Sequence, residues 1–279
     1  MCVKINSHDF HFKHFRDNGV TKITDFFADG ELNECRIEYD QALVNYVSKP
    51  IYRDEPLVVL WTHVVGADKR TCPLSALPSL THIIQARIVP YLAKLIKVVS
   101  PEIDKPRLQL LEVIVFNKPP QISNVLNWHQ DVAYFPLKPN NQIAVWFPLC
   151  EVTSEIGPMV YALGSHKLGI RGSTNLHTRE KFDGENRELI PDDPSTIGLD
   201  VVEYPMTMRD LLVHDGYTWH YSKPNVSRNS PRIGVSVRFI TERAVFDPRP
   251  GQGAAFTQQI EVQPGDVVES DAFPIYWQA

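Results

Sequence analysis

Cysteine is scarce in this chain: Cys2, Cys35, Cys72 and Cys150 are scattered over 279 residues with no CxxC pair. That spacing speaks against a zinc knot or a disulfide framework, and free thiols in a reducing compartment are the expectation. A cationic excess is also missing. With 28 Lys and Arg against 33 Asp and Glu, the formal charge is −5, and there is no basic footprint for nucleic acid. Long apolar runs are absent too, since stretches such as 108–116 are far too short to cross a bilayer. Met1-Cys2-Val3-Lys4 leads into polar residues rather than an apolar segment, so no signal peptide is expected. No repeat, low-complexity tract or interdomain linker stands out. The expectation is a single cytoplasmic domain over 1–279 that acts on a small molecule, as a monomer or homodimer, without nucleic-acid or membrane partners.

The chain changes character near residue 107. Upstream, Asp29 can cap a helix in which Leu32, Cys35, Tyr39, Leu43, Tyr46 and Val47 recur at helical spacing. A second helix is expected over 79–99, kinked or split by Pro90, whose ring and missing N–H disrupt a helix interior. His8, His11 and His14 would line one helical face but read as a frayed, solvated terminus. From 107 onward, strands are expected over 108–117, 128–135, 142–149, 158–162, 209–215 and 232–240. Short strands punctuated by Pro, Gly and Asn are the mark of a sandwich or barrel. The clearest has Ile233, Val235, Val237 and Phe239 alternating with Arg232, Gly234, Ser236 and Arg238. One face is expected to pack on a core, with the N-terminal helices as its candidate partner, and the other to meet solvent or a wet cavity. Residues 166–200 are charged and weakly periodic, as expected of a lid or a disordered connection. The tail after 243 carries no motif. The chain therefore divides into a helix-rich part (1–106), a β core (107–243) and a tail (244–279).

Three residues carry the chemistry. His129 and Asp131 stand two apart in Asn127-Trp128-His129-Gln130-Asp131, so an extended backbone turns imidazole and carboxylate to one face. His220 lies in a second strand-like aromatic setting, Tyr217-Thr218-Trp219-His220-Tyr221-Ser222. Two imidazoles and one carboxylate with open positions are the ligand set of iron(II) oxygenases. Arg232 opens the polar face of its strand, and its planar guanidinium suits a carboxylate. Arg238 shares that face but stands roughly 20 Å further along an extended strand, so one carboxylate cannot reach both. His214 is a decoy for His220, because Asp215-Gly216 beside it reads as a turn.

After His129-Gln130-Asp131 come Trp146-Phe147-Pro148-Leu149, Glu155-Ile156-Gly157-Pro158-Met159 and Ala162-Leu163-Gly164-Ser165-His166. They are followed by Asp210–Gly216, Trp219-His220-Tyr221-Ser222 and Pro231-Arg232-Ile233-Gly234. In that order, over about residues 10 to 240, they resemble the phytanoyl-CoA dioxygenase family of iron(II)/2-oxoglutarate-dependent oxygenases. The resemblance implies a mainly β fold: a double-stranded β-helix (jelly-roll, cupin-like) core backed by N-terminal helices. It also implies Fe(II) held by His129, Asp131 and His220, with 2-oxoglutarate as co-substrate and O2 as oxidant. Arg232 would anchor the far carboxylate of the co-substrate, and Ser222 would assist. Asn117 and Lys118, at the end of the preceding strand, are further co-substrate candidates, although Lys118 also fits a solvated turn. Trp128 and Trp146 are candidate pocket walls, against the plainer reading of core tryptophans.

Because Asp131 keeps the carboxylate that halogenating relatives lack, hydroxylation of an unactivated C–H bond is the default outcome, with release of succinate and CO2. Desaturation, epoxidation, cyclisation and epimerisation need the same ligands. Two rival readings stay open: a cupin-like metalloenzyme without 2-oxoglutarate, and a non-catalytic jelly-roll binder. Substrate recognition is expected from Trp61-Thr62-His63, the tail, or the 166–200 connection. In that connection, Arg171, Arg179, Lys181 and Arg187 offer positive charge to an acidic substrate.

Overall fold

A computed structural model describes residues 7–46, 58–63, 72–121, 125–249, 262–269 and 273–279. The helices are α1 (Ser7–Asn18), α2 (Asn33–Tyr46), α3 (Pro78–Ile83) and α4 (Val89–Val99). The strands are β1 (Val20–Ile23), β2 (Val58–His63), β3 (Arg107–Lys118), β4 (Leu126–His129), β5 (Leu137–Lys138), β6 (Gln142–Pro148) and β7 (Met159–Ala162). They continue as β8 (Val201–Tyr204), β9 (Leu211–Asp215), β10 (His220–Ser222), β11 (Arg232–Ile240), β12 (Val245–Phe246) and β13 (Ile275–Gln278).

Two antiparallel sheets form a jelly roll. The larger has the order β1-β9-β6-β11-β3-β13, with β2 also on β3, and the smaller has β4-β10-β7-β8. The alternation of β11 explains the layering. Ile233, Val235, Val237 and Phe239 join a core with helix residues such as Leu80, Ile84, Leu92 and Leu95. The other face of β11 turns inward between the sheets, where Arg232, Ser236 and Arg238 line a cavity. Every residue of β11 is buried, so its polar face meets an enclosed space and not bulk solvent. Gly234 serves a close approach. A Cβ there would come 2.1 Å from the Trp146 ring, so glycine lets the indole lie across the strand.

The N-terminal helices differ in detail from the periodicity reading. α2 begins at Asn33, because Gly30, at φ +75°, turns the chain first and Asp29 instead pairs with Arg209 at 3.1 Å. The expected helix over 79–99 is split by a π-helical turn, Ile84–Ile88, just ahead of Pro90. Such a turn re-spaces the backbone bonds where a proline cannot donate one. α1 is packed rather than frayed: Phe12 and Phe15 are buried, and His14 Nδ1 lies 2.8 Å from the Val20 carbonyl. The larger sheet also takes strands from outside 107–243, namely β1 and β2 upstream and β13 from the tail. Among the described residues, no helix is long and apolar enough to cross a membrane.

Candidate active site

β10 pairs antiparallel with β4 in a register that sets His220 opposite His129. Gln130 continues the extended backbone at φ −131°, ψ 141°, and Asp131 then opens a 3₁₀ turn, Asp131–Tyr134. One ligand atom from each of His129, Asp131 and His220 lies within 4.8 Å of the others, the only such group among the described residues. Each histidine is oriented from behind. His129 Nδ1 donates to the Asn127 carbonyl at 2.8 Å, and His220 Nδ1 to the Thr218 carbonyl at 2.9 Å. A carbonyl can only accept, so both rings carry their proton on Nδ1 and turn a bare Nε2 inward, as metal ligation requires.

The electrostatics agree with that tautomer. Burial pulls both imidazoles below their ordinary value, His220 well below it, which keeps them neutral. Burial alone would raise the Asp131 carboxyl. Arg238, His214 and His220 outweigh it and hold Asp131 well below the usual carboxylate range. Two neutral imidazoles and one carboxylate give a donor set suited to Fe(II) without further deprotonation.

Beside the triad lies a buried cation with no anion. The Arg232 side chain is 1% exposed, sits 4.6 Å above the Trp146 ring centroid and donates to Met159 Sδ at 3.1 Å. Among the described residues it pairs with no carboxylate. Burial lowers its guanidinium to about 10. Arg232 Nε, Ser222 Oγ, Trp146 Nε1 and Arg238 Nε are all buried without hydrogen-bond partners on the cavity that His129 and His220 also line, but Arg238 Nε lies 2.9 Å from the Asp131 carboxylate, whereas the other three face no anion. Buried polar groups are rarely left so, and three on one cavity mark a place shaped for a polar ligand. The far carboxylate of 2-oxoglutarate fits them in charge and in hydrogen-bonding capacity.

The chain matches the family model described as phytanoyl-CoA dioxygenase (PhyH) over residues 15–234. It belongs to the phytanoyl-CoA dioxygenase family. Members are Fe(II)- and 2-oxoglutarate-dependent oxygenases. The peroxisomal phytanoyl-CoA dioxygenase of Mus musculus is 23% identical over 179 residues, covering 62% of this chain and 50% of that protein. The 1-deoxypentalenic acid 11-beta-hydroxylase of Streptomyces exfoliatus is 31% identical over 110 residues, covering 39% and 38%. The chain spans half or less of the length of these curated relatives. Among solved structures, the alpha ketoglutarate dependent carbocyclase SnoK from nogalamycin biosynthesis superposes with a TM-score of 0.71 at 21% identity, over 98% of this chain and 96% of that one. The epimerase SnoN, in complex with Fe3+, alpha ketoglutarate and nogalamycin RO, gives 0.69 at 18% identity, over 97% and 99%. At these identities, the superpositions speak for the jelly-roll fold alone.

The other candidate residues of this PhyH-family chain fall in different places. Lys118 is fully buried directly across from Arg232 in the β3–β11 register and donates to the carbonyls of Ser222 (3.1 Å) and Lys223 (2.7 Å). Burial, with Arg232 adding to it, lowers the Lys118 amine to about 6, so the solvated-turn alternative does not hold. Asn117 pairs with Ile233 and so takes the opposite, helix-backed parity. Trp146 lines the cavity. Trp128 instead stands 4.5 Å from the Tyr221 ring and packs with Leu199 and Trp219, away from the ligands.

The 166–200 connection is ordered through side-chain bonds. Glu185 is buried and accepts from Ser173 N at 2.9 Å, Ser173 Oγ at 3.0 Å and Arg187 Nε at 2.9 Å. Arg171 pairs with Glu188 and Arg179 with Asp192, while Lys181 donates to the Arg187 carbonyl. Its basic residues are thus committed internally rather than offered to an acidic substrate. The side chains of Trp61, Thr62 and His63 lie outside the described residues.

Four residues are missed by sequence reasoning. His214 Nε2 lies 3.2 Å from Asp131 Oδ2, and Arg238 Nε lies 2.9 Å from the same oxygen. Glu112 pairs with Arg238 from the next strand. Gln130, on the opposite parity to the ligands, donates to the carbonyls of Gly169 (3.2 Å) and Tyr217 (3.0 Å) and accepts from Arg171 N. The available signal was Glu112 itself, a lone carboxylate in the apolar run 108–116, which needs a buried partner.

Proposed function

We propose that this chain is an Fe(II)- and 2-oxoglutarate-dependent oxygenase that hydroxylates an unactivated C–H bond of a small-molecule metabolite, releasing succinate and CO2 in a cytoplasmic setting. One observation carries the reading. A His-Asp-His set with both Nε2 atoms turned inward shares its cavity with a buried arginine that has no carboxylate partner. A metal site of a binder or a cupin-like enzyme has no need of Arg232, whereas a dicarboxylate co-substrate does.

When bound, iron(II) with 2-oxoglutarate and O2 supplies the oxidising power for C–H cleavage. The chain does the rest. His129, Asp131 and His220 would hold the metal on one side only. Arg232 would neutralise the far carboxylate of the co-substrate, with the Ser222 hydroxyl and Lys118 beside it. Leu126, Phe116 and Trp146 make the cavity walls largely apolar, which excludes water and strengthens these charge contacts. Tyr134 stands edge-on to the His129 ring at 6.1 Å, with Phe182 at 6.3 Å beyond it, and its hydroxyl donates to the Thr174 carbonyl at 2.8 Å. That side, formed by the 3₁₀ turn and the 173–185 segment, is where a substrate carbon would be placed. The retained Asp131 favours hydroxylation. The carbocyclase and the epimerase among the structural neighbours mark cyclisation and epimerisation as the other outcomes of the same ligand set.

The test is anaerobic addition of Fe(II) and 2-oxoglutarate to the purified protein, read by the visible metal-to-ligand charge-transfer band. The band is expected in the wild type, absent in Asp131→Ala and weakened in Arg232→Ala. Metal binding without the band, or a band and turnover indifferent to Arg232→Ala, would overturn the co-substrate reading. Succinate release then screens candidate substrates.

A further inference from the structure

Asp131 is held from two directions through one of its oxygens. Oδ2 lies 2.9 Å from Arg238 Nε in an ion pair and 3.2 Å from His214 Nε2, while Oδ1 lies 3.8 Å from His220 Nε2, on the triad side. Neither holder is loose. Arg238 is paired by a different nitrogen to Glu112, its direct cross-strand neighbour in the β3–β11 register. His214 Nδ1 lies 3.1 Å from the Tyr161 hydroxyl, so an imidazole that donates through Nε2 can accept from tyrosine at Nδ1. Arg238, His214, Tyr161, Glu112 and Asp131 are all buried or nearly so.

We infer that Arg238 is a positioning residue that fixes Asp131 as a one-oxygen metal ligand, with Glu112 behind it and the His214–Tyr161 pair completing the clamp. The inference rests on the metal site proposed above. Ligation through both oxygens, or rotation about Cβ–Cγ, would break two contacts to Oδ2 at once, one of them ionic. The clamp also joins the two halves of the fold. Asp131 follows a strand of the smaller sheet, whereas Glu112, Arg238 and His214 stand on β3, β11 and β9 of the larger one. The distance between the sheets at the metal is thereby set by charge pairing as well as by packing. The plainer account is that Arg238 merely neutralises Glu112. That account gives Asp131 no benefit and predicts no change at the metal.

The deciding variant is the double substitution Glu112→Gln/Arg238→Met, which removes one negative and one positive charge together and leaves no newly unpaired ion on β3 or β11. Co(II) titration of the full chain, read by its visible ligand-field bands, reports affinity and coordination geometry without turnover. The double variant is expected to bind Co(II) about 10–100-fold more weakly than wild type, the usual cost of losing an outer-shell partner, with altered band shape and intensity. Arg238→Lys keeps the buried charge, so it serves if the double variant does not fold. An ammonium cannot reproduce the guanidinium's two-sided contact, and a smaller loss with the same spectral change is expected. Wild-type affinity and spectrum in either folded variant would overturn the inference. If the wild type binds no metal, the proposed function fails instead, and the two failures are distinguishable.

Discussion

Arg232 and Arg238 are the same residue on the same face of the same strand, six positions apart, and their surroundings are opposite. Arg238 lies between two carboxylates, Asp131 and Glu112, which outweigh its burial and raise its guanidinium above the ordinary value. Arg232 meets an indole, a thioether and a neighbouring lysine, and burial lowers it to about 10. A buried cation flanked by two carboxylates belongs to the framework. A buried cation with no carboxylate partner among the described residues is what the proposed function assigns to the far carboxylate of 2-oxoglutarate. The difference cannot be read from residue type and burial alone, because both arginines are deeply buried.

The largest effect that would test this contrast is on stability, where the two arginines should respond with opposite sign. Arg238→Met strands two carboxylates in the interior and is expected to cost about 3–5 kcal/mol in urea unfolding of the metal-free protein. Arg232→Met removes an uncompensated charge and is expected to stabilise the same protein by about 1–2 kcal/mol. Equal losses for both would erase the distinction.

Next in size is co-substrate affinity. Arg232→Met should weaken 2-oxoglutarate binding about 100-fold, equivalent to about 2.8 kcal/mol, while Co(II) affinity stays within about 2-fold. Calorimetric titration of each ligand separates the two.

A smaller, pH-dependent signature of the contrast is the share of the Lys118 shift that Arg232 contributes. The Lys118 amine is lowered to about 6 in the folded chain by burial and by Arg232, against about 10.4 when unfolded. Between these values the unfolded chain binds a proton that the native chain does not, so stability of the metal-free protein should rise as pH climbs from about 6 to about 10. Arg232→Met relieves the repulsion and should shorten that rise from its lower end, which denaturation midpoints across the range would reveal. The smallest contrast lies between two tryptophans. Trp146→Leu removes the ring beneath Arg232 and should weaken 2-oxoglutarate binding about 3–10-fold. Trp128→Leu should leave it within about 2-fold, because Trp128 packs on Tyr221 outside the cavity.

Much of this site was legible because it follows parity along strands. The alternation of 232–240 fixes which side chains face inward, and the spacing of His129 and Asp131 converges them wherever Gln130 is extended, as it is. What stayed hidden depends on pairings across the chain. Glu112 meets Arg238 over 126 positions and His214 meets Asp131 over 83, and no local pattern announces either. His214 is therefore a decoy in sequence and a neighbour of the ligand in space. The 166–200 connection lacks periodicity because it is organised by Glu185 and by backbone contacts, which leave no repeating apolar signal. The tail strands β12 and β13 are two and four residues long, too short for alternation to register, yet β13 completes an edge of the larger sheet.

Gln130, between the two ligands of the HxD, has one further consequence. Its side chain grips Gly169, Arg171 and Tyr217 from the far side of the same peptide that aims His129 and Asp131. Metal binding at the proposed site and the order of the 169–171 segment are therefore expected to be coupled through Gln130. By reciprocity of linked equilibria, a metal that steadies this backbone would favour the ordered 169–171 segment, and ordering of that segment would favour the metal, by one coupling free energy.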